Sequence, residues 1–189
     1  MKNCSFEICA GDADSARASE LIDELCGARA KIDVEGLGGG LWLSRFVRGP
    51  EPRWQRQAKI FKFNKVGQTY DPETSRVRNY GEVLGPCFAV FAEGSYEPFR
   101  ATKEPVTAPL DVDVSIDKGG LLVAGLSLGL PIKGPGLLRI HYLDSRLRIF
   151  ESPPDAPTND WETNSDQGLF VVQLRQDALE EYYEQEQLR

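Results

Sequence analysis

Apolar and polar residues alternate along most of the chain from residue 41 to residue 175, and this pattern predicts short β-strands. The clearest stretch is 110–116, where every second residue is aliphatic and the residues between are Asp or Ser. Ahead of this region, one apolar stripe with helical spacing predicts a single helix over 15–26. The other strands are predicted at 41–47, 54–64, 76–83, 87–96, 121–130, 137–144, 147–150 and 168–174, with turns at 66–67, 117–120 and 144–146.

These strands lie too close together in sequence for the helical crossovers that parallel sheets need. Strands of this length with short loops are typical of a small antiparallel barrel, whose interior either fills with side chains or holds one small ligand. We therefore expect a mainly β protein, an antiparallel β-barrel of eight or nine strands with a short N-terminal helix. The predicted domain spans 15–175, between a flexible N-terminus at 1–14 and an acidic C-terminal tail at 176–189 that is either helical or disordered.

The charge of the chain narrows the choice of partners. Its 189 residues include 22 Lys and Arg and 29 Asp and Glu, and the net charge of −7 argues against non-specific binding of nucleic acid. Residues 43–79 hold nine basic and three acidic residues, whereas 151–189 hold ten acidic and two basic ones. The basic segment predicts either contact with an anionic lipid surface or a solvated face paired with the acidic tail. Since no run of 18 apolar residues occurs, we expect no transmembrane helix.

Few residues offer catalytic or metal-binding chemistry. His141 is the only histidine, and strand alternation places it with Arg139 and Leu143, on the face opposite Ile140 and Tyr142. The four cysteines form no C-x-x-C pair, so we expect reduced thiols, no metal site and no cofactor.

One short motif points to an enzyme, but its surroundings do not. Gly125–Gly129 matches the G-x-S-x-G of α/β-hydrolases, yet no helical pattern follows and no acid and histidine come later in the required order. We interpret it as a glycine-rich strand that bends in the barrel. The first 25 residues hold six acidic ones, so we expect this sequence to contain neither a secretory signal nor a transit peptide.

Two sets of residues are candidates for filling or lining the barrel. Trp42 follows Gly40 at the head of the first strand, where a Trp closes one end of a barrel by stacking with an Arg, and Arg148 is the candidate partner. The second set is aromatic and either lines an apolar cavity or forms the core. Its members are Phe46, Trp54, Phe61, Phe63, Phe88, Phe91, Tyr142 and Phe170.

One stretch carries a family resemblance. Residues 136–149, followed by 168–172, resemble the C-terminal signature of the plastid lipid-associated protein (fibrillin) family. That signature runs tyrosine-leucine-aspartate, two variable residues, leucine-arginine-isoleucine, then glycine and a phenylalanine-valine strand. Upstream features follow in the family's order, namely the helix, the glycine-tryptophan strand start, the valine-x-asparagine strand at 76–79 and a leucine-proline before the signature. The long loop 151–167 departs from the family's short turn and indicates a divergent subgroup.

The resemblance implies a lipocalin-like barrel in chloroplasts or other plastids, at plastoglobules, at thylakoids or in the stroma. It implies a non-catalytic protein that binds hydrophobic small molecules, such as a prenyl lipid, a carotenoid or a fatty acyl group, or the lipid surfaces of these compartments. One alternative is a scaffold with a solid barrel core that recruits a plastid protein through its tail and the 151–167 loop. Another is a lipid-modifying enzyme that uses His141 and Asp144.

No catalytic residues are described for the family, so the resemblance implies none in this chain. By position, Trp42, Tyr142, Asp144 and Arg148 match its signature. Asp144 and Arg148 are interpreted first as a charge-assisted hydrogen bond near one barrel end, and second as anchors for a ligand head group. The candidate ligand-binding residues are therefore Trp42, Phe61, Phe63, Phe88, Tyr142, Asp144 and Arg148.

Overall fold

The structure is a computed structural model that describes residues 15–50, 64–98, 105–154 and 168–188. It is mainly β, with eight antiparallel strands closed into a barrel, one extra strand beside it and a short N-terminal helix, which confirms the predicted fold class. The N-terminus 1–14 and all but the last residue of the predicted strand 54–64 lie outside the described residues.

The predicted helix and the predicted strands near 41–47, 76–83, 87–96, 110–116, 137–144, 147–150 and 168–174 are found with shifted bounds, whereas the strand over 65–71 was not predicted. The helices are α1 (Ser15–Gly27), a 3-10 helix (Val34–Leu37) and α2 (Gln176–Gln187). The strands are β1 (Lys31–Ile32), β2 (Leu41–Arg48), β3 (Lys65–Asp71), β4 (Arg76–Glu82), β5 (Phe88–Pro98), β6 (Val106–Thr107), β7 (Leu110–Val123), β8 (Leu126–Leu130), β9 (Gly134–Leu143), β10 (Leu147–Ser152) and β11 (Leu169–Arg175).

Hydrogen bonding closes eight of these strands into one ring. The order around the ring is β5-β4-β3-β2-β11-β10-β9-β7, and β7 pairs back to β5. Every neighbouring pair is antiparallel. Closure leaves the barrel with no free edge, and an eight-stranded ring is just wide enough for side chains or one small ligand inside.

The turn predicted at 117–120 is wrong, because β7 runs straight through it and ends at Val123. The reversal comes at Ala124 and Gly125, whose φ angles are +49° and +85°, as a two-residue hairpin requires. The predicted strand 121–130 is therefore the end of β7 plus β8, which pair with each other.

The turn predicted at 66–67 is also wrong, because both residues lie inside β3. A Cβ placed on Gly67 would collide with the carbonyl oxygen of Trp42 on the neighbouring strand. The glycine therefore marks a close approach of two backbones, and its smallness rather than its turn preference is what the fold uses.

Apolar side chains form two separate clusters, one inside the barrel and one outside it. The inner cluster includes Val112, Ile140 and Val171. The outer cluster includes Ile22 of α1 and Leu179 of α2, which pack against the outward side of β2, β9, β10 and β11. The C-terminal tail is thus helical over α2, and the 5% exposure of Leu179 shows that α2 packs on the barrel.

A β-bulge changes which side chains of β9 face inward. Tyr142 pairs with Ile149 and Ile140 pairs with Phe150, so His141 is the extra residue. His141 and Tyr142 both belong to the outward face, and Leu143 joins the inner cluster. Simple alternation therefore gave the wrong side for Tyr142 and Leu143, although His141 does share its face with Arg139.

The barrel has two unlike ends. At the closed end, where β2 starts and β11 finishes, the β1–β6 pair and the 3-10 helix lie over the interior, and Ile32 and Leu37 are fully buried there. At the open end lie the finish of β2, the start of β5 and the β7–β8 hairpin.

Candidate ligand-binding cavity

Trp42 and Arg148 fill the closed end of the barrel interior. Both side chains are fully buried. The Trp42 Nε1 donates to the Leu37 carbonyl at 2.8 Å. The Arg148 Cζ lies 5.4 Å from the ring centroid of Trp42, 4.8 Å from that of Tyr70 and 5.2 Å from that of Phe150. The predicted contact of Trp42 with Arg148 is confirmed, and two further rings share the cation.

Among the described residues, no carboxylate lies beside the positive charge of Arg148. It is the one charged side chain among the buried described residues, and it makes no ion pair with any of them. Its Nε also lacks a hydrogen-bond partner in the described part of the chain. Burial lowers the pKa of the guanidinium from its ordinary value, but an arginine remains protonated in proteins. As far as the described residues go, the interior therefore carries one positive charge that aromatic rings and amide oxygens surround but no anion pairs with.

Polar side chains from five neighbouring strands form one belt around half of the interior, which we call the polar belt. Register places Arg148 of β10 beside Gln173 of β11, Gln173 beside Ser44 of β2, and Gln68 of β3 beside Asn79 of β4. The other half of the interior, on β5, β7 and β9, is apolar at this depth, with side chains such as Ala92, Ile116 and Leu138.

The hydrogen bonds between members of the polar belt run outward from Arg148, and the Tyr70 hydroxyl adds one more to the Oε1 of Gln68 at 3.3 Å. The Arg148 Nη2 donates to the Oε1 of Gln68 at 2.6 Å and to the Oε1 of Gln173. Because a guanidinium has only donors, both glutamines must turn their oxygen toward it. Their amide nitrogens then donate onward, Gln68 to the Oδ1 of Asn79 at 2.8 Å and Gln173 to the Oγ of Ser44 at 3.1 Å.

A cavity of about 340 Å³ lies between the polar belt and the open end. Four belt residues line it, Ser44, Gln68, Asn79 and Gln173, with Ser152 nearer the mouth. The rest of the lining is mainly apolar and comes from Val66, Val90, Phe91, Ala92, Ile116, Ile132, Phe150, Leu169 and Val171. A largely apolar cavity with a few converging polar groups is the usual form of a small-molecule site.

Ser152 adds a second polar point to the cavity wall. Its side chain is 3% exposed, and its Oγ has no hydrogen-bond partner among the described residues. A buried hydroxyl is normally hydrogen-bonded, so an unpartnered one that lines a cavity indicates a group the cavity can hold.

The structure separates the candidate residues that match the family signature. Trp42 and Arg148 are in the interior, below the cavity rather than in its lining. Tyr142 lies in the outer cluster, and its hydroxyl donates to Asp144 at 2.8 Å. Burial, followed by the hydrogen bond to that carboxylate, raises the pKa of Tyr142.

Asp144 has a structural role in the β9–β10 turn. Its Oδ1 accepts from the backbone N–H groups of Arg146 and Leu147, both at 2.8 Å. The expected hydrogen bond between Asp144 and Arg148 is absent among the described residues, where Arg148 bonds to glutamines instead. The prediction paired the two because both match the family signature, but Asp144 closes the turn while Arg148 points into the barrel.

The aromatic candidates divide between the rim, the cavity and the outer face. Phe88 starts β5 at the open end, two residues before Val90 of the cavity wall. Phe91 lines the cavity, whereas Phe46 and Phe170 pack against the outer cluster. Phe61, Phe63 and Trp54 lie outside the described residues.

His141 and Asp144, on which the enzyme alternative rests, have separate partners. The His141 Nε2 lies 2.9 Å from the Oε2 of Glu151, and its ring packs 5.5 Å from that of Phe170. All of these groups are on the outward face of the barrel. Among the described residues, no three metal-binding side chains come together.

Three of the five described basic residues of 43–79 form ion pairs with acidic residues of other helices and strands. Arg48 bonds to Asp23 at 2.8 Å, Arg76 to Asp117 at 2.5 Å and Arg78 to Glu93 at 3.4 Å. None of these three pairs with an acidic group of the C-terminal tail, but Arg45 and Lys65 do contact α2 of that tail, donating to the Tyr183 hydroxyl at 3.2 Å and to the Gln176 Oε1 at 3.1 Å. Ion pairing therefore accounts for much of the basic segment that the structure describes.

Four leucines are exposed at the open end, and we call them the leucine rim. Leu84 follows β4 and is 75% exposed, and Leu126 is 71% exposed. Leu128 and Leu130 are exposed as well, and alternation puts all three leucines of β8 on one face of that strand. Within the described ranges, no helix is both long enough and apolar enough to cross a membrane.

Comparisons of the chain with models of known protein families, with curated proteins and with solved structures found no match. The resemblance to the plastid lipid-associated proteins therefore stays a prediction that rests mainly on the residues of 136–149 and 168–172, with the upstream features as weaker support.

Sequence reasoning missed the polar belt apart from Arg148. Gln173 did carry a signal, as the lone amide in the apolar run 169–174. Gln68 and Asn79 sit on strands with weak alternation, and Ser44 is too small and common to stand out. Only the register of β11, β2, β3 and β4 brings them to one level.

Proposed function

We propose that this protein is a non-catalytic, plastid lipid-associated protein that binds one hydrophobic small molecule inside its barrel. The observation that supports this most is the cavity of about 340 Å³, with its apolar lining and its few polar groups. The location in plastids, at plastoglobules, at thylakoids or in the stroma, is supported by the family resemblance of 136–149.

The size of the cavity favours a ligand over a solid core. At ~30 Å³ per water molecule, it corresponds to about eleven waters, whereas barrel interiors filled by side chains leave few voids larger than one. The scaffold alternative requires the filled interior. Of the ligands that the resemblance implies, the volume favours one fatty acyl chain or a short prenyl chain over a whole carotenoid.

The leucine rim supports a second part of the proposal, docking of the open end on a lipid surface. Soluble monomers seldom expose several large aliphatic side chains at one end, and such patches are typical of protein or membrane contacts. The rim lies at the same end as the cavity, so a docked barrel would face the lipid with its mouth.

The binding proposal is tested by titrating the full chain with N-phenyl-1-naphthylamine, a neutral probe that fluoresces in apolar sites. We expect saturable binding of one probe per chain. Ala92→Phe, which adds a ring to the cavity wall, should abolish it, because Ala92 lines the cavity.

The matched control is Ser95→Phe, which adds the same ring to an exposed position of the same strand. It should leave probe binding unchanged. Equal binding by both variants would place the probe outside the cavity and contradict the proposal, and absence of binding to the unmodified chain would favour the scaffold.

A further inference from the structure

We propose that the ligand of this barrel is an acyl chain that ends in a carboxylate, and that the polar belt binds the carboxylate with Arg148 as its buried counter-charge. This inference rests on the proposed function and names the chemical class of its ligand. Two observations support it: the direction of the hydrogen bonds in the polar belt, and the charge of Arg148, which pairs with no carboxylate among the described residues.

The first step is the charge. A buried ion without a partner of opposite sign is unfavourable, because the interior solvates it poorly. Arg148 is fully buried, and no carboxylate among the described residues pairs with it. The faces of Trp42, Tyr70 and Phe150 compensate part of the charge. An anion held in the adjoining cavity would compensate the rest.

The second step is the polarity of the cavity wall. Asn79 accepts from Gln68 through its Oδ1, so the group that it can offer to the cavity is the Nδ2 donor. Ser44 accepts from Gln173 through its Oγ, so its hydroxyl proton is left to donate. Both chains of hydrogen bonds start at a cation, and each bond polarises the next. The belt therefore presents donors, which suit an anionic oxygen rather than a hydroxyl or an amine.

The third step is the size and character of the remaining space. Toward the open end the lining changes to side chains such as Val90, Ile132 and Leu169. A methylene group is close in size to a water molecule, so a cavity of about eleven waters holds a carboxylate, which takes about two of these volumes, with a tail of about nine carbons. Ser152, whose Oγ is unpartnered among the described residues, lies along this path and can meet a polar group on the chain.

The test compares two probes that differ only in the head group, decanoate and decan-1-ol, by calorimetric titration of the full chain at neutral pH. We expect decanoate to bind at least tenfold more tightly than decan-1-ol. In Arg148→Met, which keeps most of the side-chain volume, the two probes should bind with equal affinity.

Two further variants control for a general effect of removing a positive charge and for misfolding of Arg148→Met. Arg76→Met removes the same charge from an exposed position at the closed end and should keep the full preference for decanoate. Ser44→Ala leaves Arg148 in place and removes one donor, so it should reduce the preference three- to tenfold even if Arg148→Met does not fold.

The outcomes separate this inference from the proposed function. Equal affinity of both probes for the unmodified chain, or a preference that persists in Arg148→Met, overturns the carboxylate inference and leaves hydrophobic binding standing. Failure of both probes to bind overturns both proposals.

Discussion

The two ends of the barrel differ in how the interior is filled. At the closed end, Trp42 and Arg148 are fully buried, and the 3-10 helix and the β1–β6 pair lie over them. At the open end, residues 131–134, which follow β8, line the cavity, and the three leucines of β8 are exposed to solvent. The closed end therefore contributes stability and holds the charge, whereas the open end contributes access and an apolar surface. Substitutions at the two ends should differ accordingly.

The largest difference is expected for truncation of a large side chain at each end. Trp42→Ala should lower the free energy of unfolding by about 3–5 kcal/mol, because it leaves a cavity and an unpaired carbonyl at Leu37. Leu126→Ala at the open end should change it by less than about 0.5 kcal/mol, since that side chain is 71% exposed. Urea denaturation of both variants measures this. Equal losses would show that the two ends do not differ as described.

A smaller effect is expected where two backbones approach closely between the ends. Gly67→Ala would press a methyl group against the carbonyl oxygen of Trp42, which should cost about 1–3 kcal/mol. Gly129→Ala on β8 is the control, because a Cβ there meets nothing within 4 Å. Thermal unfolding of the two variants checks the prediction. Destabilisation by Gly129→Ala as large as that by Gly67→Ala would refute the close approach as its cause.

The open end can be tested without changing stability. Leu126→Ser combined with Leu128→Ser should alter the free energy of unfolding by less than about 0.5 kcal/mol. The same double variant should reduce co-sedimentation with galactolipid vesicles at least fivefold, because it removes two apolar side chains from the leucine rim. Leu188→Ser, at an 87% exposed position that follows α2 and lies outside the rim, serves as the vesicle-binding control. Undiminished sedimentation of the double variant would exclude the rim as the docking surface.

The smallest effects are expected for the two described cysteines, Cys26 on α1 and Cys87 at the open end. Burial raises the pKa of the Cys26 thiol from 9.0 to about 11, so at pH 8 about one molecule in a thousand has the reactive thiolate. Cys87 is exposed. Iodoacetamide followed by peptide mass mapping should therefore modify Cys87 well before Cys26, and the reverse order would contradict the packing of α1.

Titration of the Cys26 thiol should also make the free energy of unfolding depend on pH in the alkaline range. Its pKa is raised in the folded state, so its contribution is complete below pH 9 and is lost as the pH rises toward about 11. The difference in unfolding free energy between the unmodified chain and Cys26→Ala should therefore shrink from pH 8 to pH 10.5. A difference that does not change over this range would mean that the thiol titrates normally in the folded protein.

Much of the barrel could be predicted because apolar and polar residues alternate in any strand that has one buried and one exposed face. The run Leu110–Ile116 was unambiguous for that reason, and the contact of Trp42 with Arg148 followed from their places in the strand series. The errors came where glycine or a bulge breaks the link between sequence and geometry. Gly67 indicates a turn by residue type, but it lies inside β3. The bulge at His141 places Tyr142 on the outer face, where simple alternation predicts the inner one.

The cavity could not be predicted, because it depends on strands far apart in sequence reaching the same depth. Gln68 and Gln173 are separated by more than a hundred residues, yet both accept hydrogen bonds from one guanidinium. Alternation tells which residues point inward but not at what height each lies in the barrel. That height is set by register, which is fixed by bulges in the β2–β11 and β9–β10 pairs.

The central claim, that the barrel holds a hydrophobic ligand, is tested most directly by native mass spectrometry of the chain purified from the cells that make it. We predict a mass that exceeds that of the chain by one small molecule, which solvent extraction releases and identifies as a hydrophobic compound. The mass of the chain alone, together with a co-purifying protein, would contradict the claim and favour the scaffold.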